Sequence, residues 1–225
     1  MQCRADYDKI RSMAMIRNYS KELNRLMEML QRGGERPSLL LHACCAPCSS
    51  AVLEQLAEHF RITVLFYNPN ISPKAEYEKR EAELARLICE MPVTKDVKLI
   101  GLPYEPEAFY AAVRGMEDIP EGGERCFVCY RLRLEAAARY AKENGFDYFT
   151  TTLSISPLKN AAKLNEIGEE LAEIYGVKHL PSDFKKKEGY KRSIQLSKEY
   201  DLYRQDFCGC IYSKLERERK NGSNT

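Results

Sequence analysis

Long hydrophobic runs are missing from this sequence. Nothing approaches the roughly 18 consecutive apolar residues of a membrane span, and Leu39 to Leu41, followed by His42, is too short and too far in for a signal peptide. A cytoplasmic protein without membrane attachment is the expectation. Net charge is nearly absent as well: 35 Lys and Arg against 33 Asp and Glu leave +2, so no global field attracts nucleic acid or lipid, and any polyanion site must be local. No Walker pattern, GxGxxG or HExxH occurs, which argues against ATP chemistry, dinucleotide binding and zinc proteolysis. There is no internal repeat, and low complexity is confined to the Asn-Gly-Ser-Asn tail. Disorder along most of the chain is excluded by 44% hydrophobic against 30% charged residues. A length of 225 residues then suggests one large domain, or one domain with an appendage.

What is present reads as alternating strands and helices. Residues 1–37 form a helical extension, with Leu23, Leu26, Met27 and Leu30 as its stripe, Ser20 as N-cap and Gly33-Gly34 as terminator. Residues 38–220 form a single α/β domain, and 221–225 a disordered tail. Strands are expected at Ser38–Ala43, Ile62–Tyr67, Val97–Ile100, Phe146–Thr152 and Val177–Leu180. Between them fall a helix face of Val52, Leu53, Leu56 and Phe60, a helix opened by Ser72-Pro73 with a Glu76–Arg80 pair, and a short helix over Pro106–Arg114. A further helix carries Cys126 and Cys129 at its start, and another is capped by Ser156-Pro157 with a Leu164, Ile167, Leu171, Ile174 stripe. From Ser182 the chain turns polar and basic and ends in a helix-like Cys210–Lys220. Such alternation implies a parallel sheet of about five strands with helices on both faces, its ligands bound at the carboxyl ends of the strands. Three loops of unusual composition, 42–48, 68–72 and 150–156, then meet on one edge.

Cysteine is the abnormal component. Nine are too few for a small disulfide scaffold, and the number is odd. Seven are concentrated in Cys44-Cys45-Ala46-Pro47-Cys48, Cys126-Phe127-Val128-Cys129 and Cys208-Gly209-Cys210. Structural zinc, dithiol redox chemistry and iron–sulfur ligation all use close cysteine pairs. Cys126 and Cys129 have the zinc-knuckle spacing. Cys44 and Cys45 are poor ligands for one small ion, because neighbouring side chains in an extended segment point to opposite sides, although a larger cluster or two metals can use both. The Cys208/Cys210 pair suits a tight dithiol or a second metal. Cys3 and Cys89 read as inert, one terminal and one packed on a helix. A basic run of Lys185, Lys186, Lys187, Lys191 and Arg192 around Tyr190 suits nucleic-acid phosphate and a splayed base, or is a solvated surface.

The tracts HACCAPCSS, FYNPNISPKAEYEKR, RCFVCYRLRLEAAA, YFTTTLSISPLKN and FKKKEGYKRSIQLSKEYDLYRQDFCGC, in that order over about Ser38 to Leu215, resemble the cobalamin-independent epoxyqueuosine reductases, the QueH family. The resemblance implies an adenine-nucleotide hydrolase-like (HUP-like) fold without ATP chemistry. It also implies the last step of queuosine formation, in which the wobble-position epoxide of tRNA is reduced by two electrons to an alkene. The substrate would be tRNA with a GUN anticodon carrying epoxyqueuosine, served by an unidentified electron donor. It further implies a 4Fe-4S cluster on Cys44, Cys45, Cys126 and Cys129, and an additional mononuclear metal, taken as iron. Cys48, Cys208 and Cys210 are drawn into that metal assembly, with Cys208 and Cys210 alternatively a redox pair. By position, Tyr67, Asp206 and His42 are candidates for the proton. Asn68, Asn70, Thr151 and Ser154 are candidates for polar contacts to the nucleoside, with the basic run for the tRNA backbone. A zinc-stabilised tRNA-binding module and a cytosolic dithiol oxidoreductase are the competing readings.

Overall fold

The computed structural model describes residues 17–222. Its sheet has five parallel strands, β1 (Ser38–Ala43), β2 (Arg61–Phe66), β3 (Lys98–Gly101), β4 (Tyr148–Thr151) and β5 (Lys178–His179), in the order β3-β2-β1-β4-β5. β1 is central and apolar: Leu39, Leu40 and Leu41 are wholly buried, because helices cover both faces of a parallel sheet. The strand order reverses between β1 and β4, where His42 lies opposite Thr151, and the carboxyl ends there open a crevice.

The helices are α1 (Tyr19–Gly33), α2 (Ala46–Leu56), α3 (Lys74–Glu90), α4 (Pro106–Ala112), α5 (Glu124–Glu143), α6 (Ala161–Tyr175), α7 (Gly189–Glu199) and α8 (Ile211–Gly222), with 3-10 turns at Pro92–Thr94 and Thr152–Ile155. One face of the sheet is filled by Val52, Leu53, Leu56, Phe60 and Leu84 with Leu23, Met27 and Leu30 of α1, so the N-terminal helix is packed into the core. The other face is filled by Leu134, Ala137, Ala141, Leu164, Ile167 and Leu171 of α5 and α6.

Several sequence expectations shift. α1 is capped by Asn18, whose side chain accepts the Lys21 N–H at 3.0 Å, and Ser20 is already helical. Pro73 occupies the N-cap of α3 rather than its first turn. α6 starts at Ala161 under an Asn160 cap, which frees Ser156 to Lys159 to be loop, and Ile174 is exposed. α7 went unforeseen because Lys, Arg and Ser dominate its solvent face; Leu196 docks it on the α1–α2 side, and Arg192 pairs with Glu54 of α2 at 2.6 and 2.8 Å. Cys89 is exposed on α3 instead of packed. α8 runs through Gly222, so two of the five residues assigned to a tail are helical; 223–225 lie outside the described residues, as do Cys3 and the rest of 1–16.

Candidate active site

Each cysteine segment ends a loop at the start of a helix. Cys45 is the N-cap of α2, with extended backbone, and its carbonyl accepts both the N–H and the hydroxyl of Ser49. The strand-to-helix turn there rotates successive side chains onto one side, so the Cys44 and Cys45 sulfurs converge to 3.8 Å. That corrects the expectation of divergence, which holds only within a continuous strand. Cys48, one helical turn on, returns to the same face, and the three sulfurs lie within 4.8 Å of one another, a grouping that can hold a metal ion. Cys126 is the third residue of α5 and accepts the Gly122 N–H at 3.3 Å. Cys210 directly precedes α8 and accepts the Ser213 N–H at 3.4 Å. Three helix N-termini therefore offer N–H groups and positive dipole ends to sulfur, which favours thiolate.

Two adjoining cavities join the segments. The larger, of about 690 Å³, is lined by Cys44, Cys48, Glu121, Arg133, Lys159 and Cys208 at its base, and by Leu158, Tyr190, Arg204, Gln205, Asp206 and Arg217 toward its mouth. The smaller is enclosed by Cys126, Cys129, Cys208 and Cys210 with Asn70, Arg125, Tyr130, Arg133 and Lys159. Cys208, Arg133 and Lys159 line both. Six of the seven clustered cysteines, from loops 44–48, 126–129 and 208–210, thus line these two cavities, and Cys45 lies beside them against Cys44 and Cys48.

The C-terminal thiols are held by a polar network. Lys159 Nζ sits 3.1 Å from Cys208 Sγ and 2.9 Å from Glu121 Oε1, and Ser213 donates to the other Glu121 oxygen at 2.7 Å. Glu216 accepts from Arg125 at 3.2 Å and from the Glu121 N–H at 2.9 Å. The Cys208 carbonyl accepts from buried Arg80, which Glu76 holds at 2.7 Å, as the sequence pairing anticipates. Ser72 N–H bonds the Gly209 carbonyl at 2.9 Å.

Burial and hydrogen bonding distribute charge unevenly among the thiols. Hydrogen bonds from Cys44 and then Cys48 hold Cys45 well below the usual thiol range. As its hydrogen-bonding partner Cys44 rises to about 11, and Cys48 rises well above its ordinary value through its bonds to Cys44 and Cys45. Burial raises Cys129 to about 11 and Cys210 to about 12. Burial would depress Lys159, but Cys208, Tyr130 and Glu121 outweigh it and keep the ammonium charged.

Other expected site residues are placed differently. His42 is wholly buried between Thr151 Oγ1 at 2.9 Å and the Tyr67 carbonyl at 3.1 Å, and burial lowers it to about 4. It is a neutral core histidine donating from Nε2, with no access to the cavities. Tyr67 lines neither cavity; burial, then the Glu105 carboxylate, raises its pKa. Asn68 donates to the Ala43 carbonyl, Thr151 serves His42 and the Leu153 N–H, and Ser154 serves Ser182 and the Phe184 N–H, so all three brace the loops from inside. Asn70 lines the small cavity beside the cysteines instead of the large one. Asp206 is at the mouth, paired with Arg217 at 2.9 Å.

The basic run divides. Lys185 is tied to the Lys159 carbonyl at 2.7 Å and Arg192 to Glu54, whereas Lys186 and Lys187 are exposed, Lys191 pairs at the surface with Glu188, and Tyr190 walls the large cavity. Sequence reasoning missed Glu121, Tyr130, Arg133, Lys159 and Gln205. Two of these carried a signal, since Tyr130 and Arg133 follow Cys126 at i+4 and i+7 on the same helix face. Lys159 had none, because the loop that delivers it reads as a helix start.

A family model described as Epoxyqueuosine reductase QueH matches residues 39–216. The chain is 43% identical over 204 residues to the Epoxyqueuosine reductase QueH of Staphylococcus epidermidis, covering 89% of this chain and 86% of the relative. It is 43% identical over 198 residues to that of Streptococcus pyogenes (87% and 78%), and 42% identical over 204 residues to that of Staphylococcus aureus (89% and 85%). The chain therefore belongs to the epoxyqueuosine reductase QueH family.

Proposed function

We propose that this protein reduces epoxyqueuosine at the wobble position of a GUN-anticodon tRNA to queuosine, using a 4Fe-4S cluster and an additional mononuclear iron. The single observation that carries this reading is that three remote cysteine-bearing loops meet at two adjoining cavities, the larger of them roomy enough for a nucleoside. The reaction breaks both epoxide C–O bonds, consumes two electrons and two protons, forms a C=C bond and releases the oxygen as water. An external reductant supplies the electrons.

The residues suit such a group on two counts. Seven sulfurs form a soft donor set beyond what one zinc ion requires, and the same locus leaves buried polar atoms of Asn70, Arg125, Tyr130 and Arg133 without protein partners, as an anionic metal–sulfur centre would need. Cys44, Cys45, Cys126 and Cys129 would hold the cluster, and Cys48, Cys208 and Cys210 would complete the assembly. When bound, the centre supplies electrons singly, and an open iron position supplies Lewis acidity toward the epoxide oxygen. The chain's own groups do the rest. Tyr190 and the exposed Leu158 offer faces to a splayed base at the mouth, and Lys186 and Lys187 neutralise backbone phosphate. Lys159 presents a charged N–H donor where both cavities meet, held by Glu121. Asp206 carries a titratable oxygen at the entrance.

The test is anaerobic reconstitution with iron and sulfide, incubation with epoxyqueuosine-bearing tRNA and a reductant, and mass analysis of the nucleosides. Brown protein and a nucleoside lighter by one oxygen are expected. Colourless protein with stoichiometric zinc and unchanged tRNA would establish the binding-module reading instead.

A further inference from the structure

Among the described residues, buried lysines and arginines are matched to carboxylates with one exception. Arg80 has Glu76, Arg125 has Glu216 and Lys159 has Glu121. Arg133, 1% exposed, has no carboxylate partner among the described residues; its Nε donates to the Cys129 carbonyl at 3.2 Å and its Nη2 has no partner. A buried cation without a counter-charge is costly, and groups within reach are the thiols that line the same walls. Two neighbours share its condition. The Tyr130 hydroxyl, on a residue 1% exposed, is unpartnered, and both polar ends of the Asn70 amide are unpartnered on a residue 2% exposed. All three side chains line the small cavity with Cys126, Cys129, Cys208 and Cys210. α5 places Tyr130 and Arg133 one and two turns after Cys126, and the loop after β2 brings Asn70 to the same cavity.

We propose that Arg133, Tyr130 and Asn70 are positioning residues that form the counter-charge and hydrogen-bond shell of the metal–sulfur centre and raise its reduction potential. The inference rests on the cluster reading above. Its physical basis is that an added electron increases negative charge on the centre's sulfurs, so a fixed cation and N–H or O–H dipoles aimed there stabilise the reduced form more than the oxidised one. Arg133 also lines the large cavity, so the same charge faces both cavities.

The experiment uses anaerobically reconstituted full-length protein, wild type and Tyr130→Phe, Asn70→Leu, Arg133→Met and Arg133→Lys. Iron and sulfide per chain are measured, and midpoint potentials are determined by redox titration followed by electron paramagnetic resonance. Tyr130→Phe and Asn70→Leu should keep full iron and shift to more negative potential. Arg133→Met should shift furthest, by at least about a tenfold change in the oxidised-to-reduced ratio at fixed poise, about 59 mV for one electron, or should lose iron while remaining folded by circular dichroism. Arg133→Lys should recover much of the difference. Should Arg133→Met fail to fold, Tyr130→Phe and Asn70→Leu decide alone. Fully loaded variants with the wild-type midpoint would overturn the proposal. Wild-type protein that takes up no iron–sulfur cluster would instead overturn the reading beneath it.

Discussion

At the residue scale, the chemistry depends on charges held where water is scarce. Glu121 is the counter-ion that lets Lys159 remain an ammonium beside Cys208, so removing its charge leaves a buried cation unpaired. Glu121→Leu is expected to cost about 3 kcal/mol, read from urea unfolding of the protein without metal. A second single-residue effect is on acid stability. Burial, with a smaller contribution from Arg17, lowers His179 from 6.5 to about 3, and its Nδ1 has no partner. The folded protein therefore binds this proton less readily than the unfolded chain, so the stability is complete above pH 6.5 and is lost as pH falls toward the folded value. Unfolding free energy should drop by about 2 kcal/mol between neutrality and about pH 5, and His179→Gln should flatten that portion of the profile. An unchanged slope in the variant would assign acid sensitivity elsewhere. The cysteines were legible at this scale because their clustering is a fact of order along the chain. Lys159 and Glu121 were not, since nothing local marks one lysine among many as the one a fold will bury.

At the element scale, the loop of Cys208 to Cys210 is a backbone device. Gly209 has φ +114°, and a Cβ there would lie 3.0 Å from both Arg80 Nη1 and Ile71 Cγ1, the groups against which the loop is pinned. Gly209→Ala should cost about 1–3 kcal/mol from backbone strain and close contact, lower the melting temperature and reduce bound iron, while α5 keeps its cysteines. A variant with normal iron and normal melting would show the loop to be slack. The elements most readily read from sequence were β1, α2 and α5, where apolar periodicity and abrupt loops coincide. The two helices misjudged, α6 at its start and α7 altogether, share a reason. Ser156-Pro157 imitates a cap but is followed by a turn that Asn160 ends, and α7 has a short apolar face that matters only once α2 lies beneath it.

At the scale of the whole molecule, net charge near zero makes substrate attraction a matter of where the cations stand. Lys186 and Lys187 are exposed a few residues before Tyr190, which lines the large cavity, whereas Arg192 of the same run is spent on Glu54. Lys186→Glu should weaken tRNA binding and reduce the slope of log affinity against log salt by about 1, as expected for one lost phosphate contact. Arg192→Gln should leave that slope unchanged and loosen α7 from α2. Equal slopes for wild type and Lys186→Glu would remove that lysine from the tRNA path. By itself, the sequence determined the strand–helix alternation, the parallel sheet it requires and the three thiol-bearing loops, because hydrophobic period, turn residues and cysteine spacing are all local. Only the tertiary structure decided which groups face those thiols: the turn at Cys45 that brings adjacent sulfurs together, the lysine delivered by the loop after β4, and the arginine left without a carboxylate. The first is a local turn that a strand pattern does not reveal; the other two depend on segments tens of residues or more apart in the chain coming together, and no local preference records them.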